Sequence, residues 1–163
     1  MSIRSLVPAA LAVALTLSAC GGSSQHDAVR AYINQVDPIV TGFQTQAEKL
    51  AESGVSDTDA MKAAAQTLQQ TIDSLSAVQP SDPALAAAHA HLVQAPKYMK
   101  EAVDLLLAAV QDPTTATPDL EQQVNALLTK AQEETNTYFT TMKPLLPEDM
   151  RAEWEKDMQA GDQ

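Results

Sequence analysis

Four long stretches of this 163-residue chain repeat their apolar residues at alternating spacings of three and four. That spacing places apolar side chains on one face of an α-helix. No period-two run of apolar residues competes with it, and no hairpin dipeptide joins two apolar runs. Because long helices with short connections pack as antiparallel neighbours, the sequence predicts an all-α fold. We expect an antiparallel up-down four-helix bundle with a short fifth helix at its C-terminal end.

The first predicted helix begins at Asp27 and ends before Gly54, and its apolar phase continues through Pro38. A proline inside a helix removes a backbone hydrogen bond and commonly bends the helix, so we expect a kink there. The alternative is a break, in which Asp37 caps a new helix that starts at Pro38.

Capping residues bound the second and third predicted helices. The second begins near residues 56–57, and Asp82 followed by Pro83 marks the start of the third. Pro96 interrupts the third helix without changing its apolar phase, so we expect a second kink. The apolar stripe of this helix extends to Val110.

The fourth predicted helix is capped by Thr117, with Pro118 in its first turn, and it ends at Pro144. Its apolar stripe includes Leu127 and Leu128. Residues 148–149 are both acidic and open the short fifth helix, since negative charge stabilises a helix N-terminus.

The first 20 residues have the organisation of an export signal. Arg4 gives a positive start, residues 6–17 are mostly apolar, and Leu17-Ser18-Ala19-Cys20 follows, with the only cysteine of the chain. A helix over residues 6–17 spans about 18 Å, well short of the roughly 30 Å of a membrane's hydrocarbon layer. The apolar run therefore indicates a signal segment and not a membrane span.

Leu17-Ser18-Ala19-Cys20 resembles the lipobox of bacterial lipoproteins. This resemblance covers residues 1–20 and implies cleavage before Cys20, which then carries diacylglycerol and an N-acyl chain such as palmitate. Two or three acyl chains give stable membrane anchoring. Gly21 differs from the aspartate that retains lipoproteins at an inner membrane, which implies the outer membrane in a cell with two. The alternative is an ordinary signal peptide with a chance cysteine.

The export signal and the helical pattern together predict the domain organisation. Residues 1–19 are a signal peptide, residues 20–26 are the lipidated cysteine with a flexible Gly/Ser tether, and residues 27–160 are the helical bundle. With its thiol used for lipid, the exported domain cannot form an internal disulfide.

The formal net charge of −11 constrains the partners. It gives neither the basic footprint of a nucleic-acid-binding protein nor a polybasic patch for anionic lipids. We therefore expect membrane contact through the lipid anchor, no nucleic acid, and an unidentified envelope protein as partner.

Metal and catalytic motifs are missing from the sequence. His89 and His91 are two residues apart on a helix and point in nearly opposite directions, so they cannot share a metal. The Glu-x-x-His pairs of di-iron bundles, a nucleophile elbow and phosphate-binding glycine loops are all absent. Surface carboxylates such as Glu133 and Glu134 are expected to be solvated. We expect no cofactor, no metal site and no enzyme.

His89 is the most informative polar residue, because it is in register with the apolar stripe of the third helix. One interpretation is a histidine at the edge of the core that bonds to a carbonyl or a carboxylate. The other is a ligand pocket lined by His89, Leu92 and Tyr98, since Pro96 frees the Leu92 carbonyl one turn earlier.

Met150, Trp154 and Met158 share one face of the predicted fifth helix. This face either closes one end of the bundle or docks a partner helix or lipid. Residues 57–111 resemble uncharacterised small helical lipoproteins of bacteria, a likeness that implies no activity.

We therefore predict a membrane-anchored, non-enzymatic interaction or envelope-structural module. The alternative is a lipoprotein that binds or senses a small ligand or a cation near the helix kinks, and an enzyme is a distant third.

Overall fold

The structure is a computed structural model, which describes residues 21–53, 58–112, 114, 117–152 and 154. Its long helices are α1 (Gly21–Ser53), α2 (Thr58–Ala77), α3 (Pro83–Gln111) and α4 (Leu120–Met142). A 3₁₀ turn, Lys143–Leu145, leads into a short helix α5, which comprises residues 148–152 and Trp154. The described residues contain no strand, so the predicted all-α class is confirmed.

Consecutive helices pack against each other: α1 against α2, α2 against α3, and α3 against α4. With short connections between them, neighbouring helices run antiparallel. The predicted up-down four-helix bundle with a short fifth helix is therefore confirmed. Among the described residues, no helix is both long enough and apolar enough to cross a membrane.

Helix α1 begins at Gly21 and is continuous through Pro38. The predicted start at Asp27 was too late, and residues 21–26, predicted as a flexible tether, belong to the helix. Adding a turn to an existing helix needs no new nucleus, so weak helix formers can extend it. The predicted alternative of a break before Pro38 is also wrong. Pro38 and Asn34 are both exposed, so the carbonyl that the proline leaves without a donor can be hydrated.

Helix α3 begins as its sequence predicts. The Asp82 carboxylate accepts hydrogen bonds from the Ala84 and Leu85 amides at 2.8 and 3.1 Å, and Pro83 occupies the first helical position. This arrangement satisfies two amides that lack a partner within the helix. Helix α3 also continues through Pro96, which is buried.

Helix α4 begins later than its sequence predicts. Thr117 is not its cap: residues 117–119 form a turn in which the Leu120 amide donates to the Thr117 carbonyl at 3.0 Å. Asp119 occupies the cap position without a side-chain capping bond. A Thr-Pro pair suits such a turn as well as a helix start, so the sequence signal alone did not separate the two.

The main core lies where the N-terminal half of α1 meets the C-terminal ends of α2 and α4 and the start of α3. We call it the proximal core, because it is at the end of α1 that follows Cys20. It consists of Val29, Tyr32, Val36, Leu75, Leu85, Ala88, Tyr138, Met142 and Leu146.

A smaller core, the distal core, lies between the C-terminal half of α3 and the start of α4. Its buried members are Ala102, Val124 and Leu127. Val110 and Leu128 were predicted to face inward, but they are 51% and 45% exposed. Leu127 takes the inward position on α4, and its neighbour Leu128 is turned about 100° away from it.

Candidate functional site

His89 lies in the proximal part of the bundle and is buried, with 7% of its surface exposed. Its Nε2 atom is 2.9 Å from the Leu75 carbonyl oxygen. Because a carbonyl can only accept, Nε2 carries the hydrogen and donates it. Leu75 is in the last turn of α2, where carbonyls lack partners within the helix. His89 thus fixes the start of α3 to the end of α2.

The other imidazole nitrogen of His89 faces α1. Its Nδ1 atom is 3.1 Å from the hydroxyl of Tyr32, and the two rings pack edge to face with centroids 5.6 Å apart. In a neutral imidazole that donates through Nε2, Nδ1 is an acceptor, so the Tyr32 hydroxyl donates. Both nitrogens of His89 therefore have protein partners.

A second phenol, that of Tyr138 on α4, lies beside Tyr32 and interacts with its hydroxyl. Burial raises the pKa of Tyr32 and raises the pKa of Tyr138 to about 12, the latter helped by the nearby Asp37 carboxylate. Both phenols are therefore neutral at physiological pH. The Leu75 carbonyl, His89, Tyr32 and Tyr138 form what we call the His89 cluster, and each of the four long helices contributes one group to it.

Burial also lowers the pKa of His89 below its ordinary value. The hydrogen bond to the Leu75 carbonyl acts in the opposite direction but is the smaller effect. His89 is consequently neutral at physiological pH, which agrees with the donor and acceptor roles that its two partners require.

One edge of His89 borders an open groove of about 460 Å³ between the end of α2 and the first half of α3. Alanine and valine side chains line it together with Gln79, Gln94 and Lys97. Leu92 and Tyr98, predicted to share a pocket with His89, do not line this groove.

The structure separates the three residues of the predicted pocket. Leu92 packs against the proximal core, as His89 does, whereas Tyr98 packs against the distal core. Nine residues of helix place Tyr98 about 13 Å along α3 from His89. The Lys130 ammonium lies 5.6 Å from the centroid of the Tyr98 ring, a cation–π contact with α4. The predicted pocket of these three residues is therefore not formed.

His91 points away from His89 and pairs with α4. Its Nδ1 atom is 2.5 Å from Oε2 of Glu134, and both side chains are partly exposed. The prediction that Glu134 is simply solvated was wrong. The sequence did contain a signal for this pair, because a residue two positions from His89 lies on another face of α3.

Trp154, the middle residue of the predicted docking face on α5, packs inward. The Trp154 ring packs 5.1 Å from Phe139 and 5.8 Å from Tyr138 between centroids, against the proximal core. Met150 is half-buried, and Met158 lies outside the described residues. The Trp154 Nε1 atom is buried and has no hydrogen-bond partner in the described part of the chain. Trp154 therefore helps to close the proximal end of the bundle.

An exposed ion pair connects α5 to α1. Arg30 donates to both carboxylate oxygens of Asp149 at 2.8 and 2.7 Å. This bond lowers the pKa of Asp149.

Sequence reasoning recognised that His89 faces inward but missed its phenol partner. A buried tyrosine usually has a hydrogen-bond partner for its hydroxyl. The position of Tyr32 in the apolar stripe of the first helix was therefore the signal that could have identified it as a partner. Within the described residues, no group of three His, Cys, Asp or Glu side chains could hold a metal ion.

No protein-family model, curated protein or solved structure matches this chain. Its function is therefore inferred from its own residues and from their arrangement.

Proposed function

We propose that this chain is a bacterial lipoprotein, anchored to the cell membrane through lipid on Cys20, whose helical bundle is a non-enzymatic interaction or structural module of the cell envelope. The observation that carries this proposal is the placement of the chain's only cysteine at the end of Leu17-Ser18-Ala19-Cys20, directly before α1. The signal peptide of a soluble exported protein requires no cysteine at that position.

The helical start at Gly21 supports a module held close to the membrane. With no coil between the lipid and the bundle, the proximal core would lie next to the bilayer. Helix α1 has 33 residues and is about 50 Å long. Upright on the membrane, it would hold the α1–α2 and α3–α4 connections at the far end, facing the surrounding envelope.

The chemistry of the buried site supports a structural role for His89. A general base needs a free nitrogen within about 3 Å of the proton that it removes. Both nitrogens of His89 are instead bonded to Leu75 and Tyr32. The bonds of this cluster connect helices, and they expose no activated group to a substrate.

Net charge supports anchoring by lipid and not by the protein surface. The chain carries a formal charge of −11, and removal of residues 1–19 takes away Arg4 and no acidic residue. An anionic bilayer would repel such a domain. Covalent acyl chains would overcome that repulsion.

The anchoring is tested by expression of the full chain and of Cys20→Ser in a bacterial host. We expect the wild-type protein in the membrane fraction, with an N-terminal residue whose mass includes diacylglycerol. Cys20→Ser should lose both, whereas Ser23→Ala, three residues beyond the motif's end, should keep both. An unmodified Cys20 in a protein released from the membrane would refute the lipoprotein proposal.

The interaction role is tested by crosslinking the protein in its own membrane and identifying the products by mass spectrometry. A single dominant protein partner that is lost in Cys20→Ser is the expected result. The absence of any partner above background would contradict an interaction module.

A second candidate function is the binding or sensing of a small ligand, which the open groove beside His89 favours. Lys97 is the charged residue of its lining, and Gln79 and Gln94 supply amides. Metabolite-induced changes in Tm that disappear in Lys97→Ala and persist in Lys130→Ala would support this candidate over an interaction module.

A further inference from the structure

We propose that the His89 cluster is a pH-sensitive latch, which holds α1 against the other three helices and releases it when His89 takes up a proton. This inference does not depend on lipidation, because it rests on the bonds inside the bundle.

The neutral cluster has a fixed order of donors and acceptors. Nε2 of His89 donates to the Leu75 carbonyl at 2.9 Å, and the Tyr32 hydroxyl lies 3.1 Å from Nδ1 and donates to it. The other neutral tautomer, with its hydrogen on Nδ1, cannot form the bond to Leu75, because the Leu75 carbonyl can only accept.

A proton added to His89 can bind only at Nδ1. Both nitrogens of the imidazolium are then donors, so the Tyr32 hydroxyl must turn from a donor into an acceptor. Its hydrogen then has to point to Tyr138, its polar neighbour on α4. One proton thus rearranges the bonds that connect α1 with both α3 and α4.

The surroundings of His89 offer little to compensate a positive charge. From α1 it meets the neutral phenol of Tyr32, and its hydrogen-bond partner on α2 is the uncharged backbone carbonyl of Leu75. On α2, the exposed carboxylate of Asp73 already accepts a hydrogen bond from Gln69 at 2.9 Å. On α3, the charged neighbour along the groove is Lys97, which would repel a second cation.

The carboxylates of Asp82 and Glu134 already bond to other groups. Asp82 caps α3, and His91 rather than His89 is the partner of Glu134. On α4 the neighbour is Tyr138, and the Asp37 carboxylate acts on that phenol. A buried charge without a paired counter-charge is costly, so protonation favours any state that exposes the imidazole to water.

Helix α1 is the element that such an opening would release. Close backbone packing joins α3 to both α2 and α4, whereas α1 packs closely only against α2. Its polar ties include those of the Tyr32 hydroxyl to His89 and Tyr138, and the exposed pair of Arg30 and Asp149. Without the bonds of Tyr32, α1 is held chiefly by its apolar contacts and by a water-screened ion pair.

The pH range follows from linkage. The pKa of His89 is lowered in the closed bundle, and it returns to about 6.5 when the side chain is exposed. Below that pH the open state binds the additional proton. The equilibrium constant for α1 closure then falls about tenfold per pH unit until the closed-state pKa is reached.

Hydrogen exchange resolved by residue tests the latch. With the protein at pH 7.5 and at pH 5, and with intrinsic exchange rates corrected, we expect protection at residues 29–36 to fall about tenfold per pH unit below 6.5. Protection of the distal residues 124–131 should remain nearly constant. A uniform loss of protection across all helices would overturn the proposal.

His89→Gln is the matched variant, because its amide can donate to Leu75 and accept from Tyr32 but does not titrate. Its α1 protection should be independent of pH between 7.5 and 5. The same change at His91 or His26 should leave the wild-type response intact. A response in His89→Gln equal to that of the wild type would also overturn the latch.

If His89→Gln fails to fold, nuclear magnetic resonance of the wild-type imidazole decides the question. We expect the Nε2–H tautomer at pH 7.5 and a titration midpoint below 6.5 that coincides with the change in α1 exchange. An Nδ1–H tautomer, or a titration without any change in α1, would refute the proposal.

Discussion

The proximal and distal cores are built from similar apolar stripes, yet they differ in what fills them. All four long helices and α5 contribute to the proximal core, which gathers Tyr32, Tyr138, Phe139 and Trp154. The distal core consists, in the described residues, of α3 and α4 side chains around Ala102, Val124 and Leu127. The comparison indicates that stability is concentrated at the end that follows Cys20.

Leucine-to-alanine substitutions should give the largest difference between the two cores. Leu75 is 1% exposed and packed in the proximal core, whereas Leu127 is 8% exposed in the distal core. We expect Leu75→Ala to lower the free energy of unfolding by about 3–5 kcal/mol and Leu127→Ala by about 2–3 kcal/mol, because the cost rises with the cavity left behind. Urea unfolding measures both, and equal losses would remove the distinction between the cores.

These differences were only partly predictable from the sequence. The helices were predictable from periodicity, because few structures other than an α-helix place apolar residues at spacings of three and four on one face. The start of α3 was predictable from Asp82 and Pro83. The pairing of His89 with Tyr32 spans 57 residues. Such a contact depends on how two helices are rotated and shifted against each other, which no spacing within one helix records.

The errors have a related physical origin. An apolar stripe does not show how wide the buried face will be, so Leu128 was placed inside when only Leu127 is buried. Local capping signals compete with helix propagation at Asp27 and with turn formation at Thr117. In both cases the free energy of the surrounding structure decided between two locally acceptable conformations.

Removal of the Tyr32 hydroxyl should have an intermediate effect on the free energy of unfolding. Tyr32→Phe leaves Nδ1 of the buried His89 without its donor, and we expect a loss of about 1–3 kcal/mol in the free energy of unfolding. Tyr98→Phe is the distal control, since Tyr98 is half-buried and its ring contact with Lys130 survives the change. A Tyr98→Phe effect as large as that of Tyr32→Phe would mean that buried polar bonding does not distinguish the two ends.

The ion pair between Arg30 and Asp149 should contribute less, because both side chains are substantially exposed. The lowered pKa of Asp149 means that its contribution is present at neutral pH and is lost as the pH falls through the acidic range. We expect Asp149→Asn to lower Tm slightly at pH 7 and low salt, and to have no effect in 1 M salt, where screening is strong (about 3 Å Debye length). A salt-independent loss would show that Asp149 holds α5 by packing.

The smallest effect on stability is expected at Leu128, which is adjacent to the buried Leu127. Leu128→Gln should change the free energy of unfolding by less than about 0.5 kcal/mol, because a side chain already 45% exposed loses little buried area. Leu127→Gln should be severely destabilising, since it buries an amide in the distal core. A large loss from Leu128→Gln would mean that this side chain is covered in solution. Unchanged stability with loss of the crosslinked partner would instead place the interaction surface at the distal end, where the bundle is farthest from Cys20.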